Sequence, residues 1–419
     1  MTYLPNVNIS LSDGPSIDAF SRLRVSEPLT LLDSSFSEDA QPLIWESLVA
    51  NGGVVAAPAN AYIAMSVPAA ANAAAVRQTK RYIPYQPGKS KLVFLTGVMM
   101  EDTTAVDGIT GRIGMFDDLL VGGAIAGAGY LQTGLFFQYT GGAGNPWAVV
   151  ERLGGVDTAT TRNNWNIDQL DGNGPSGYNF TDAEMAERAQ IYVMDLEWLG
   201  VGRVRYGFVI DGLIVYIHEA FHSATVVAQQ PYTLTASLPA RYELFNTTGV
   251  NTAVMRQICC TVISEGGFNP NGPIYSANRA VAQVTAGTNV RIISVRLQAG
   301  FMRTSFEPRA FSLLGLSAGN VQYEIVLNPT FGGAAAVWTP GPTGSHVEYD
   351  VAAGTATGGI LVDSGYLSRE TRSITQLING TLFGAYSVNG GTPDVFTIRA
   401  TSTGGNVDML GSITWQEFI

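Results

Sequence analysis

Charge is scarce in this chain. Across 419 residues, Asp, Glu, Lys and Arg together make up 14%, against ~25% in ordinary soluble domains. The balance is acidic, with 23 basic against 34 acidic residues and a net charge of −11. Nonspecific phosphate binding needs clustered Lys and Arg, so no nucleic-acid partner is expected. Cysteine is confined to the vicinal pair Cys259 and Cys260. On a strand these point to opposite faces, which excludes a relaxed mutual disulfide, a disulfide scaffold and a cysteine-based zinc site, and fits synthesis in a reducing compartment. The first twenty residues have no basic segment followed by an apolar one, so no secretory signal is read there. No G-x-S-x-G elbow, P-loop or dinucleotide fingerprint occurs in its required strand–helix context.

Long apolar runs are lacking as well. The charge-free stretch 54–76 is broken by Pro58, Asn60, Pro68 and Asn72 and reads as an extended loop. The second such stretch, 119–137, holds Gly123 and Gly127 in a G-x-x-x-G spacing. Its glycines and its place between strand-like segments make it a loop and strand edge. No membrane insertion is expected.

What the chain has in excess is glycine, 48 of 419 residues, above the ~7% average. The organising stretch is 190–212, QIYVMDLEWLGVGRVRYGFVIDG. Apolar runs at 191–199 and 204–210 are joined by a glycine turn at 200–203. Asp211-Gly212 then leads into a third run, 213–217. Three β-rich runs separated by short glycine turns predict an antiparallel meander, with Asp-Gly as the strongest hairpin signal.

In chain order, residues 1–40 read as an N-terminal arm broken by Pro5, Pro15 and Pro28. Strand-like runs follow at 41–46, 77–85, 91–100, 112–116, 133–139 and 147–152. A polar loop at 165–178 precedes a short helix over 181–189, where Thr181 and Glu184 have capping-box spacing. The meander and the runs 241–245 and 255–264 complete a large β-sandwich domain, 41–275. A linker is expected at 276–289. Seven short runs (290–297, 310–316, 321–327, 359–366, 381–388, 395–400 and 412–418) then make a C-terminal β-sandwich domain, 290–419.

Candidate chemistry is thin. His218, Glu219 and His222 form a literal H-E-x-x-H, a zinc signature on a helix. On a strand, residues four apart lie ~13 Å apart, so no metal site is expected here. Asp195 and Glu197 share a strand face. A glycosidase needs two carboxyls on opposing sides of a sugar, so these acids read better as a solvated face or as partners of Arg203 and Arg205. The loop 168–173 offers oxygen ligands without EF-hand spacing and reads as turns. Arg77, Lys80, Arg81, Lys89 and Lys91, with Tyr82 and Tyr85 between them, form a basic-aromatic cluster suited to an acidic neighbouring subunit. No catalytic residue, metal or cofactor is expected, and the chain does not read as an enzyme.

Two resemblances add to this reading. Around Val209, Asp211 and Gly212 the meander resembles concanavalin-like and laminin-G-like sandwiches, which implies a jelly-roll-type all-β fold. It also implies that loops at a sandwich end could bind glycans, with Trp165, Asp171 and Tyr178 as the candidate residues. More specifically, the blocks DAFSRLRVS (18–26), LTLLDS (29–34), QPGKS (86–90), DLEWLGVGRVRY (195–206) and CTVISEGG (260–267) resemble tailed-phage virion structural proteins of the aquatic, cyanophage type. That resemblance spans about 15–270 and is looser beyond. It implies a particle component made in the bacterial host cytoplasm and located on the virion. The expected role is a capsid-surface decoration or head fibre, anchored through Phe20, Arg22, Leu23, Arg24 and Val25. Its expected partners are the major capsid or tail proteins and itself, as a homo-oligomer such as a trimer. The alternative is a tail, baseplate or receptor-binding lectin-like protein that recognises host-surface glycans.

Overall fold

The computed structural model describes residues 26–119, 131–223, 230–269, 272–301, 303–317, 319–368, 384–388 and 391–418, and the backbone of 373–377. The anchoring candidates Phe20, Arg22, Leu23, Arg24 and Val25 lie outside the described residues. With 54% strand and 3% helix, the fold is all-β, and among the described residues the ladders between strands are antiparallel, with one isolated parallel bridge, Ala286↔Ser402. The expected jelly-roll-type sandwich is observed, followed by a second, smaller one.

The first sandwich has two sheets. One runs in the order Leu213–Ala220, Val204–Ile210, Gln190–Leu196, Lys91–Val98, Ala253–Ser264, Ile63–Val67 and Val54–Val55, with Leu29–Ser35 also pairing along Ala253–Ser264. The other runs Val156–Thr161, Trp147–Leu153, Gly134–Thr140, Ile109–Phe116, Ala240–Asn246, Ala73–Thr79 and Trp45–Ala50. The meander therefore forms as expected at one edge of the first sheet. Asp211 and Gly212 both have positive φ, 51° and 80°, the type I′ geometry whose twist matches the flanking strands.

The core between the sheets follows from two-residue periodicity. Tyr192, Met194 and Leu196 from one strand, and Val204, Tyr206 and Phe208 from the next, point inward and are buried. Phe137 of the facing sheet meets three of them, with ring centroids 5.1 Å from Tyr192, 5.6 Å from Tyr206 and 5.4 Å from Phe208. Such aromatic contacts add ~0.5–1.5 kcal/mol per pair beyond area burial. Cys259 is exposed and Cys260 buried, on opposite faces as the strand periodicity requires.

Several expectations are corrected. The stretch 54–76, expected as a loop, contributes the strands Val54–Val55 and Ile63–Val67 and the start of Ala73–Thr79. Its prolines fall between strands, and Ile63, Met65 and Val67 alternate inward. Ala73, Ala74 and Ala75 are fully buried despite alanine's poor strand preference, so packing overrides propensity. The end of the arm belongs to the sandwich: Leu29–Ser35 is a strand, and Phe36 packs edge-on against Trp45 at 5.9 Å. The expected linker 276–289 is largely strand, since Ile274–Val284 pairs with Val407–Phe418. A bulge between Arg279 and Ala282 breaks its alternation, which is why it reads as irregular. The strand Val156–Thr161, polar and exposed, had no apolar pattern to mark it.

The second sandwich packs a sheet of Ile274–Val284, Val407–Phe418, Ser305–Gly315 and Ser373–Leu377 on a larger sheet centred on Val290–Leu297, Phe396–Ser402 and Val321–Leu327. Its core includes Ile292, Val295, Phe311, Leu313, Ile325, Ile398, Ile413 and Trp415. The run expected at 381–388 forms no strand over its described part, which makes only the isolated bridges Phe306↔Gly384 and Tyr386↔Pro393. The two sandwiches touch. The Val388 N–H donates to Glu46 Oε2 at 2.8 Å, Lys80 faces Asp394 at 3.8 Å, and Arg81 lies 5.7 Å from the Phe418 ring.

Candidate functional site

The loop expected to meet glycans, 165–178, is built around Arg162, an arginine with no motif to mark it. Arg162 donates from Nε to the Gln169 carbonyl (2.7 Å) and from Nη2 to those of Leu170 (2.9 Å) and Phe180 (2.7 Å). Its Nη1 reaches the Asp182 carboxylate at 2.7 Å. One buried guanidinium thus ties both ends of the loop to the start of the helix Asp182–Glu187. The helix carries the expected capping box: Thr181 Oγ1 accepts from the Glu184 N–H, and the Glu184 carboxylate accepts from the Thr181 N–H.

Of the three glycan candidates, two come together on an outer surface. Tyr178 is half-buried, stacks on Phe180 at 5.9 Å, and donates its hydroxyl to Asp211 Oδ2 at 2.8 Å. That bond raises the Tyr178 pKa. Asp171 is exposed, accepts from the Asn173 N–H at 2.9 Å, and lies in a bridge with Asn179, next to Tyr178. Trp165 is separate from them. It is 3% exposed, with Nε1 donating to the Thr160 carbonyl, and offers no free ring face. Asp168 is buried, and its two oxygens accept from the Leu170 and Ser176 N–H groups, as turn formation requires.

The H-E-x-x-H residues diverge. His218, within the strand Leu213–Ala220, faces inward, and its Nδ1 accepts from the Asn166 N–H at 3.4 Å, with burial lowering its pKa. Glu219 lies 3.7 Å from Arg203. His222 lies past the strand, its Nε2 3.0 Å from Glu151 and its Nδ1 2.7 Å from the Gly202 carbonyl. Among the described residues, no group of three or more His, Cys, Asp or Glu side chains is placed to hold a metal ion. Asp195 binds Arg205 and accepts from the Tyr216 hydroxyl at 3.3 Å. Arg203 pairs with Glu219, across the hairpin, rather than with Asp195 or Glu197.

The basic-aromatic cluster is not one patch. Arg77 is buried beneath Phe36 and Trp45 and donates to Gln257, Ser47 and the Ala40 carbonyl, pinning the end of the arm. Burial lowers its pKa to about 10. Lys89 bonds Gln86 and the Gly267 carbonyl. Lys91 is fully buried, donating to the carbonyls of Ile83 (2.9 Å) and Ala236 (3.2 Å), and burial lowers its pKa to about 7. With Lys80 and Arg81 turned toward the second sandwich, the cluster expected to meet a neighbouring subunit is spent inside the chain.

A dense group of charges lies on the face of the second sheet opposite the core. Arg112, Arg152 and Arg241 meet Asp118, Asp157 and Glu243 there. Arg241 pairs with Glu243 at 2.6 Å, both fully buried, and Arg241 Nη1 donates to Gln78 at 2.7 Å. Arg112 lies 3.3 Å from Asp118 and 3.5 Å from Glu243, and Arg152 binds both Asp118 and Asp157. Phenylalanine rings cover the guanidinium groups: Phe245 lies 4.7 Å from Arg112, and Phe116 5.4 Å from Arg241. Burial, with Glu243 alongside, raises the Asp118 pKa against the pull of the arginines. This arrangement neutralises charge internally; it presents no opposed pair of free carboxyls across an open groove.

No family model matches the sequence, and the search of curated proteins returns no match. Solved structures with a similar strand arrangement include a Bacillus licheniformis β-glucanase at 11% identity, covering 55% of this chain and 97% of its own, with a TM-score of 0.33. An endo-1,3-β-glucanase from Streptomyces sioyaensis has 12% identity, covers 59% of this chain and 99% of its own, and has a TM-score of 0.36. Peanut lectin has 14% identity, covers 57% and 98%, and has a TM-score of 0.30.

Proposed function

We propose that this chain is a non-catalytic structural component of a tailed-phage virion, a capsid-surface decoration or head-fibre protein that works as a homo-oligomer. One observation supports it above the rest. Charged side chains are spent on internal pairs, while large apolar side chains stay exposed on strands at sheet edges. Leu213 (66% exposed) lies on an edge strand of the first sandwich; Ile274 (63%), Val281 (57%), Leu361 (54%) and Tyr366 (73%) lie on edge strands of the second. Monomeric proteins blunt such edges with charge, because unpaired strand edges invite association. The resemblance over about 15–270 supplies the particle context. The pinning of residues 36–40 by Arg77 gives the preceding arm a fixed point of departure.

Deleting residues 1–25, which leaves the strand Leu29–Ser35 whole, tests the anchoring part. The truncated chain should fold and yet be lost from purified particles. Incorporation at the level of the full chain would overturn the anchor.

A second reading, recognition of host-surface glycans, is favoured by the meeting of Tyr178, Asp171 and Asp211 on one outer surface, an aromatic face beside carboxylate acceptors. It predicts glycan-array binding that Tyr178→Ala abolishes; a flat array removes it.

A further inference from the structure

His222 sits where three separate segments meet at one end of the first sandwich. Its Nδ1 is 2.7 Å from the carbonyl of Gly202, in the 197–203 turn, and its Nε2 is 3.0 Å from Glu151 Oε2, on the strand Trp147–Leu153. Its ring stacks on Tyr232 with centroids 4.1 Å apart and an interplanar angle of 17°. A neutral imidazole carries one N–H, but both ring nitrogens here face acceptors. A carbonyl has no proton to give, so with the Glu151 carboxylate ionised both contacts are satisfied together only when both nitrogens carry hydrogen.

The turn it holds is tightly wound. The Gly202 N–H donates to the Trp198 carbonyl at 2.7 Å, and a Cβ on Gly202 would lie 1.6 Å from the Glu197 carbonyl oxygen. The Tyr232 N–H donates to the Gly200 carbonyl at 3.1 Å, joining the third segment to the turn. These segments carry exposed apolar side chains, Leu199 (55%), Val201 (40%), Phe221 (51%) and Leu234 (48%).

We infer that His222 is a proton-operated latch: its doubly protonated ring clamps the 197–203 turn to the strand Trp147–Leu153, and loss of a proton releases the turn with its apolar tip. The other titratable groups around it are consistent with one controlling acid. Glu151 faces it from the neighbouring strand, and Tyr232 covers it with its pKa raised well above the usual range by burial. His218, on its own side, is held toward the neutral form by burial, and Tyr206 beyond Glu151 has its pKa raised by burial. Glu219 is occupied by Arg203, and Glu197 lies in the turn itself. Burial alone would lower the His222 pKa; the hydrogen bond and charge of Glu151, with the Gly202 carbonyl, outweigh it and raise the value above 6.5. A raised folded-state pKa stabilises the latched form fully below 6.5, and that stabilisation is lost as pH rises through the folded-state value.

The chain has three histidines, so selective ¹⁵N-histidine labelling of the full chain resolves each ring. The latch predicts that His222 titrates above 6.5 and His218 below it, and that Glu151→Gln brings His222 down to 6.5 or lower. Hydrogen exchange at the Gly202 and Tyr232 amides, corrected for intrinsic rates, should accelerate about tenfold as pH passes the His222 value. In His222→Gln the acceleration should vanish. A His222 that titrates at or below 6.5 in the wild type, or exchange that ignores its protonation state, overturns the latch; the wild-type titration stands even if a variant fails to fold.

Discussion

Replacing Lys91 with methionine probes how the first sandwich tolerates a buried ammonium. Lys91 is fully buried on a strand that pairs with Gln190–Leu196 on one side and Ala253–Ser264 on the other. Its pKa is lowered from 10.5 to about 7, by burial first and by the charge of Arg81 second. Between those two values the unfolded chain holds a proton that the folded chain has released. Stability therefore rises with pH across that window, by up to about 1.4 kcal/mol for each pH unit. Methionine removes this dependence. It also leaves the carbonyls of Ile83 and Ala236 without their donor, at ~1–3 kcal/mol each, which offsets what is gained by removing the buried charge. At pH 7 these contributions oppose one another, so the slope with pH carries the test. Urea unfolding between pH 7.5 and 9.5, followed by fluorescence of Trp45, Trp147, Trp165 and Trp198, gives that slope. Other titrations, including the cysteines and tyrosines whose pKa values burial raises, cancel in the difference. Wild type should gain on Lys91→Met by about 2–3 kcal/mol over the two pH units. A difference that stays flat with pH would refute the depressed pKa and the burial argument with it.

Two further substitutions test the charge arrangements. Glu243→Gln leaves Arg241 and Arg112 facing a neutral amide in a fully buried position and should destabilise the first sandwich by ~3 kcal/mol in denaturant unfolding. Adding Arg241→Met should recover part of that loss, since an unpaired buried charge costs more than an apolar replacement of both partners. Arg162→Met strips the donor from three carbonyls and from Asp182. Limited proteolysis should then cut within 168–178 at rates at least tenfold above wild type, with the sandwich itself intact.

The meander was legible because its signals are local: apolar runs at 191–199 and 204–210 joined by a glycine turn, and Asp211-Gly212 at a position that demands positive φ. The alanine-rich start of the strand Ala73–Thr79 was not legible, because its strand character comes from complete burial between neighbours rather than from residue preference. The edge strand Ile274–Val284 hid behind a bulge. In the candidate site, the parting of His218 from Glu219 followed from strand alternation, whereas His222 lies beyond the strand end at Ala220 and is placed by Glu151 and the Gly202 carbonyl. The pairing of Arg112 with Glu243 could not, since it depends on which strands become neighbours in the sheet. Trp165 shows the limit most plainly: an aromatic residue in a polar loop reads as exposed, yet the loop's return places it in the core.

The central claim, a structural role on a virion, is tested most directly by quantitative mass spectrometry of purified particles from the virus that encodes this chain. The account predicts the chain in a fixed, multiple copy number relative to the major capsid protein, retained through density-gradient purification. Its absence from particles, with the protein recovered from the lysate as a 44.5 kDa monomer, would contradict it.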